Sequence, residues 1–130
     1  MTHTLEVFYK KTLIFSSNGN WLYPLFELEH FLAGHDDDPK ALVAYDKIVG
    51  KAAALLWARL GIGYLNAGIL SRPGRDALER HKVRYCYEGL VDRIACQTEE
   101  ILIDEFDPEA AYAILKKRAE AVRRKEEKTA

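Results

Sequence analysis

Apolar and polar residues alternate in two short runs near the start of the chain, Thr4 to Tyr9 and Thr12 to Ser17. Such alternation is typical of strands that bury one face. Lys10 and Lys11 lie between the runs, although Lys-Lys is a weaker turn signal than Asn-Gly. We predict that the two runs pair as an antiparallel hairpin.

The next part of the chain changes to a helical spacing of apolar positions. Pro24 suits a first helical turn, and Gly34 marks the predicted end of that helix. A short extended segment, Leu42 to Tyr45, follows. Asp46 is a good N-cap for a second helix, Lys47 to Leu60, which is apolar on nearly all sides. A helix of this kind is normally central in a domain.

The same alternation of elements continues beyond Leu60. Gly63 to Leu70 is typical of a buried strand, and Ser71 is expected to cap a short helix from Pro73 to about His81. Val83 to Tyr87 is the next predicted strand. The order strand, helix, strand, helix, strand predicts parallel strands in a three-layer α/β/α arrangement.

The last part of the chain contains two predicted helices. Thr98 is expected to cap a short one, Glu99 to Asp104. Asp107-Pro108-Glu109 is a strong start for the other, because an N-cap, a proline and an acidic residue follow each other. We therefore expect a core region over residues 1–106 and, in the same domain, a C-terminal amphipathic helix with a charged, frayed tail over 107–130.

Composition removes several classes of function. The chain has 130 residues, of which 48% are hydrophobic and 30% charged, and its net charge is −1. There is no overall field to attract nucleic acid or an anionic membrane. No apolar run approaches the ~20 residues that span a bilayer. With only Cys86 and Cys96, a disulfide framework is not expected, and we predict a cytoplasmic protein.

One stretch resembles a known family. The run Ala44-Tyr45-Asp46-Lys47-Ile48-Val49-Gly50-Lys51-Ala52-Ala53-Ala54-Leu55-Leu56 is similar to the signature of an uncharacterised family of cytidine-deaminase-like proteins. Tyr23 to Leu28, Leu70 to Pro73 and Cys96 follow the same order of elements, so the resemblance covers about residues 4 to 104. It implies a cytidine-deaminase-like α/β/α fold whose mixed sheet joins a hairpin to parallel strands, with the last helix as an addition.

The residues that would bind a catalytic zinc are missing. Zinc deaminases carry His-x-Glu on one helix and Pro-Cys-x-x-Cys on the next. The resemblance places the first motif at Val49-Gly50-Lys51 and the second at Pro73 to Ala77, which lack every ligand. His35 and the acidic residues after it are typical of a solvated loop. We therefore expect no metal, no cofactor and no zinc-dependent deamination.

The resemblance also implies a candidate pocket, because in such a fold the N-termini of the two motif helices converge. Helix N-termini attract anions, so a nucleotide-like or other small anionic ligand is the leading expectation. The predicted ligand-binding residues are Asp46, Lys47, Gly50, Lys51, Ser71 and Arg72. Three of them also have a purely structural interpretation. Asp46 could act only as an N-cap, and Gly50 could allow tight backbone packing. Lys51 could pack its aliphatic stem while its amine reaches water.

Two other functions are left open by the sequence. Cys96, near a predicted helix start, is a candidate nucleophile in a metal-independent enzyme, although a buried inert cysteine is the more common case. Cys86 is expected in the core. The C-terminal helix either completes the core or serves as the interface of a homo-oligomer in a structural module.

Overall fold

Nine regular elements and one short 3-10 turn make up the part of the fold that the structure describes. The computed structural model of the chain describes residues 3–94, 102 and 105–129. The 3-10 turn is Pro39–Ala41. The elements are β1 (Leu5–Tyr9), β2 (Thr12–Ser17), α1 (Tyr23–Ala33), β3 (Leu42–Val49), α2 (Lys51–Leu60), β4 (Tyr64–Ser71), α3 (Arg72–Arg80), β5 (Tyr85–Val91) and α4 (Pro108–Thr129).

The five strands form one mixed sheet in the order β2-β1-β3-β4-β5. β1 is antiparallel to both β2 and β3, whereas β3, β4 and β5 are parallel. The predicted hairpin and mixed sheet are thus confirmed. Lys10 and Lys11 both have positive φ values, 47° and 68°. A two-residue type I′ hairpin requires this conformation, so tertiary pairing overrides the weak preference of lysine for it.

The four helices among the described residues lie on one face of the sheet. α1, α3 and α4 each contact α2, and α2 packs on β3. The described part of the chain therefore has two layers rather than the expected three. The cause is the strand order: β3, β4 and β5 follow each other in one direction, and right-handed crossovers then place α2 and α3 on the same side. The buried rows across this face are Leu5, Asp46 and Ala67, and Val7, Ala44 and Leu65.

The second helix begins later than the sequence predicts. β3 continues to Val49, so Asp46 and Lys47 belong to the strand, and Gly50 is the N-cap. The expectation that Asp46 caps the helix is wrong. β-branched Ile48 and Val49 favour a strand, and pairing with Ile69 and Leu70 of β4 stabilises it. Gly50 is then outside the helix interior, where glycine would cost about 1 kcal/mol.

The regular alternation of buried and exposed residues is interrupted at the same level in two neighbouring strands, β3 and β4. Buried residues are first two positions apart along the strand, and the last buried residue is three positions further on. In β3 the buried residues are Leu42, Ala44, Asp46 and then Val49; in β4 they are Leu65, Ala67 and then Leu70. The last residue of each series turns back into the core beneath the helices. As a result α2 and α3 start close together on the same side of the sheet.

The predicted start of α3 is confirmed, whereas the predicted start of β5 is wrong. Ser71 caps α3 as predicted, its Oγ accepting a hydrogen bond from the Gly74 N–H at 3.0 Å. β5 starts at Tyr85 rather than Val83, because Val83 donates its N–H to the Leu78 carbonyl and belongs to the turn after α3. The predicted helix Glu99 to Asp104 lies, apart from residue 102, outside the described residues.

The C-terminal helix packs against its own domain. Asp107 caps it, accepting the Glu109 N–H at 3.3 Å. Ala111 and Leu115 are buried against α2, and Tyr112 donates a hydrogen bond to Glu29 on α1 at 2.8 Å. The first half of this helix therefore completes the core.

The close start of α2 and α3 gives a first testable prediction. A Cβ atom on Gly74 would lie 3.0 Å from both the Gly50 carbonyl carbon and the Val49 carbonyl oxygen. Backbone on both sides has little freedom to move, so we expect Gly74→Ala to lower the free energy of unfolding by about 1–3 kcal/mol. Urea unfolding followed by circular dichroism measures it.

Gly34→Ala is the matched control. Gly34 has a φ of −100°, and a Cβ there would lie 3.9 Å from the nearest atom, the Phe31 carbonyl oxygen. We expect a change within about 0.5 kcal/mol. Equal effects of the two substitutions would contradict the close approach of α2 and α3.

Candidate functional site

A cavity of about 240 Å³ opens at the carboxyl end of β3. It lies between the start of α2 on one side and the first turn of α1, with the loop before it, on the other. Its walls are largely apolar and include Trp21. The polar residues of the wall are Thr4, Asn20, Asp46 and Lys47. Small-molecule sites generally combine an apolar concave wall with a few polar groups of this kind.

The cavity lies where the sheet changes strand direction. β3 pairs with antiparallel β1 on one side and with parallel β4 on the other. In open α/β sheets, ligands bind beyond the carboxyl ends of the parallel strands. The topology therefore brings together chain segments that are far apart in sequence.

The loop that closes the cavity is fixed by hydrogen bonds. Thr4 Oγ1 donates to the carbonyl oxygens of Ser17 at 2.8 Å and Gly19 at 3.1 Å. The Tyr23 N–H donates to the Asn20 carbonyl at 3.3 Å. Trp21 has a φ of 57°, a left-handed conformation that costs about 1–2 kcal/mol for a residue with a Cβ. A strained residue held at a cavity wall is typical of a functional site.

Asp46 is the buried ionisable group of this wall. Asp46 is 9% exposed, and its Oδ2 accepts a hydrogen bond from Trp57 Nε1 at 2.8 Å. Burial raises the pKa of Asp46 to about 7, and the hydrogen bonds from Trp57 and from the backbone of Ile48 and Lys47 oppose that rise. A carboxyl group with such a pKa donates or accepts a proton near neutral pH.

The start of α2 forms another part of the wall. Gly50 is the N-cap and offers no side chain to the helix, while Ala52 and Ala53 line the cavity. A helix start without a side-chain cap presents N–H groups and the positive end of the helix dipole to water or to a ligand. The small alanine side chains leave that end accessible.

Three of the six residues predicted from sequence line the cavity: Asp46, Lys47 and Gly50. Gly50 also meets the expectation of tight packing, since Gly74 of α3 approaches it closely. The cavity, however, lies between the starts of α1 and α2. The sequence prediction placed it between α2 and α3, where the close backbone contact leaves no room.

Lys51 is directed away from this cavity. It is 2% exposed, and its Nζ donates a hydrogen bond to the Leu102 carbonyl and lies 3.8 Å from the centroid of the Phe106 ring. The expectation that its amine reaches water is therefore wrong. The burial is accommodated because carbonyl and aromatic partners replace the lost hydration.

The other two predicted residues also have local structural partners. Ser71 is buried as the cap of α3. Arg72 Nε donates to Asp92 Oδ1 at 2.8 Å in an exposed ion pair. Neither residue lines the cavity: the Ser71 side chain caps α3, and the Arg72 side chain lies at the surface with Asp92.

The cysteines and histidines contribute no site in the described part of the chain. Cys96 lies outside the described residues. Cys86 is exposed on β5, with its Sγ donating to Asn66 Oδ1 at 3.0 Å, so its predicted core position is wrong. The neighbouring Tyr85 directs its side chain towards α3, so the Cys86 side chain points to the opposite face of the sheet. Among the described residues no three His, Cys, Asp or Glu side chains are grouped as metal ligands.

Sequence reasoning missed Trp21 and Trp57. A signal for Trp57 existed, because a buried indole N–H usually requires an acceptor, and Asp46 is an acidic residue within an apolar strand. Eleven residues separate the two, so no helical or strand spacing connects them. No sequence pattern indicated that Trp21 lines the cavity, since its position depends on a left-handed backbone conformation that the sequence does not predict.

The fold and the cavity define an α/β domain with a candidate small-molecule site at the carboxyl end of its central strand. Residues 3–119 match the family model described as TM1506, domain of unknown function (DUF1893). The chain belongs to this family. No match was found among curated proteins. No helix in the described ranges is long and apolar enough to cross a membrane.

A solved structure supports the fold. The crystal structure of a DUF1893 family protein (TM1506) from Thermotoga maritima is similar, with a TM-score of 0.79 and 23% sequence identity. The match covers 88% of this chain and 80% of that one. At this identity the likeness extends to the fold, and function is argued from the site of this chain.

The environment of Asp46 predicts a specific pH dependence of stability. Its folded pKa, about 7, lies above the ordinary value of 3.8, so the folded protein binds more protons between these two values. Asp46 therefore contributes most to the free energy of unfolding below pH 4. That contribution falls by up to roughly 4 kcal/mol as the pH rises to 7. Asp46→Asn keeps an oxygen for Trp57 and removes the titration.

We expect the free energy of unfolding of Asp46→Asn to approach or exceed that of the wild type as the pH rises from 4 to 8. Urea unfolding at several pH values, compared between the two proteins, measures the difference. Parallel pH curves for wild type and variant would contradict the raised pKa.

Proposed function

We propose that this chain is a small-molecule-binding domain and that its site is the cavity beside Asp46. The observation that carries the proposal is a desolvated carboxyl group in the wall of a largely apolar cavity of about 240 Å³. A buried carboxyl group that lacked a role would be a cost, since an apolar side chain of similar size packs as well. Its pKa near 7 suits recognition of a polar group on a ligand.

The lining indicates the chemistry of the ligand. Apolar walls and the Trp21 ring favour a compact, flat body such as a heterocycle. Asp46 favours a donor group on its edge, or an acceptor when the carboxyl group is protonated. A nucleotide-like ligand fits this arrangement, with its base in the cavity.

The anionic part of such a ligand has partners at the same place. The start of α2 carries the positive end of the helix dipole, and exposed Lys47 lies at the wall. Lys47 and Gly50 were among the residues that the sequence assigned to the ligand, whereas Lys51, Ser71 and Arg72 do not line the cavity. The proposed ligand is thus still nucleotide-like, and its phosphate would bind at the start of α2 and Lys47.

The cytidine-deaminase-like relationship belongs to this proposal. It is supported by the sheet that joins a hairpin to parallel strands and by the close approach of the starts of α2 and α3. Asp46 would supply proton transfer without a metal, because its pKa lies near neutral pH. Nucleophilic catalysis by Cys96 and a purely structural role are alternative proposals.

Thermal shift followed by calorimetry on the full chain tests the site. The panel is nucleobases, nucleosides, nucleoside monophosphates and inorganic phosphate. We expect at least one base-containing compound to stabilise the wild type, and Asp46→Asn to weaken its affinity tenfold or more, about 1.4 kcal/mol. Arg72→Ala is the control, since Arg72 was a sequence candidate that lies outside the cavity.

The design separates the ligand classes. A response to inorganic phosphate alone would assign the site to the anion and not to a base. If no compound in the panel stabilises the wild type, or if binding is lost in Arg72→Ala and retained in Asp46→Asn, the proposal fails.

A further inference from the structure

A second cavity, of about 290 Å³, lies between α1 and α4 and is here called the α1–α4 groove. Both helices pack on α2, and Tyr112 of α4 reaches across to α1, with its ring centroid 6.0 Å from that of Phe26. Tyr23, Phe26 and Tyr112 give the groove an aromatic lining. Ala33 and Ala119, one on each helix, are too small to fill it. The groove therefore has room for an apolar body.

The walls of the groove are fixed by Arg59 of α2. Its guanidinium lies 3.5 Å from the centroid of the Tyr112 ring, and its nitrogens contact Glu29 at 3.2 Å and Glu109 at 3.1 Å. Tyr112 donates its hydroxyl to the other oxygen of Glu29 at 2.8 Å. Both oxygens of Glu29 are thus engaged within the protein. A wall that is ordered before binding saves a ligand the cost of ordering it.

Charges of both signs lie at the rim of the groove. Lys116 Nζ donates to the Tyr112 hydroxyl at 2.9 Å, and the remaining N–H groups of this ammonium can meet another acceptor. The amine is therefore directed towards Tyr112 and not towards Glu120, which lines the groove one helical turn further on. His30 lines it from α1 and can also donate to an anion. All three side chains are exposed.

We propose that the α1–α4 groove is a site for a free amino acid with an aromatic side chain. The ligand ring would lie among Tyr23, Phe26 and Tyr112, since tilted and edge-to-face contacts between rings are favourable. Its carboxylate would bind Lys116 and its ammonium Glu120.

The two charges of the rim are the reason for choosing an amino acid over a simpler ligand. A carboxylic acid without an amine would place its anion beside Glu120, and an amine without a carboxylate would place its cation beside Lys116. Each of these arrangements opposes like charges, whereas a zwitterion satisfies both residues.

The groove is separate from the cavity beside Asp46, and its proposed ligand does not depend on the function proposed for that cavity. The two spaces lie on different sides of the first turn of α1. Pro24 and Leu25 line the first cavity, whereas Tyr23 and Phe26 line the groove.

An NMR titration of the full chain with phenylalanine tests the ligand class. We expect a Kd of roughly 0.1–1 mM, which suits a ligand of this size. N-acetylphenylalanine lacks the ammonium, and phenylalanine amide lacks the carboxylate, so each should bind at least tenfold more weakly. Equal binding of either compound would assign the groove to a ligand of one charge and overturn the proposal. So would the absence of phenylalanine binding up to about 20 mM.

Charge-removing variants test the residues. Lys116→Met and Glu120→Gln keep the length of each side chain, and each should raise Kd at least fivefold. Lys117→Met is the matched control, because Lys117 is the exposed neighbour that does not line the groove. Asp46→Asn is the control for the first cavity. Both controls should keep Kd within about twofold of the wild type. Melting curves check that all four variants fold.

The controls decide where the ligand binds. A loss of binding in Lys117→Met equal to that in Lys116→Met would indicate attraction by surface charge alone and overturn the proposal. A loss in Asp46→Asn would place the amino acid in the first cavity and overturn it as well.

Alanine methyl groups locate the ligand independently. Ala33 and Ala119 line the groove, whereas Ala52 and Ala53 line the first cavity. In a chain with ¹³C-labelled alanine methyl groups, the ring current of bound phenylalanine should shift the first pair and leave the second pair unchanged. Shifts confined to Ala52 and Ala53 would contradict the assignment to the groove.

Discussion

The hydrogen bond from Trp57 to Asp46 is the contact on which the central strand and the central helix depend. It joins β3, which pairs on both sides, to α2, which every other helix contacts. Both partners are buried, so loss of either would leave the other without its hydrogen bond, at a cost of about 1–3 kcal/mol. The same burial raises the pKa of Asp46 towards neutrality. The contact that stabilises the fold thus also sets the chemistry of the cavity.

A second buried contact determines which side of α2 is free for a ligand. Lys51 bonds to the Leu102 carbonyl, and the Phe106 ring lies between Lys51 and Arg80, with each cation 3.8 Å from its centroid. His81 Nε2 donates to the Phe106 carbonyl oxygen at 2.6 Å. These contacts attach the chain before α4 to the start of α2 and to α3. The cavity is left on the side of α2 that faces α1.

Local patterns in the sequence predicted most elements, and the misses have a common cause. The hairpin, the Ser71 cap and the Asp107 start follow from short-range spacing and were correct. The boundary between β3 and α2 was wrong because Ile48 and Val49 fit either element, and only their pairing with β4 decides between the two. Asp46 was predicted as a helix cap, whereas it belongs to β3 and lines the cavity. Lys51 and Cys86 were misplaced because the burial of a side chain depends on which face the other segments cover.

The one-sided arrangement separates two environments on the same strand. Asp46 lies on the covered face beside the cavity, and its neighbour Tyr45 is exposed on the opposite face. Since successive residues of a strand point in opposite directions, the strand by itself gives the two residues equal chances of burial. The packing of α2 over β3 is therefore what removes water from the Asp46 carboxyl group and gives the cavity wall its titratable group.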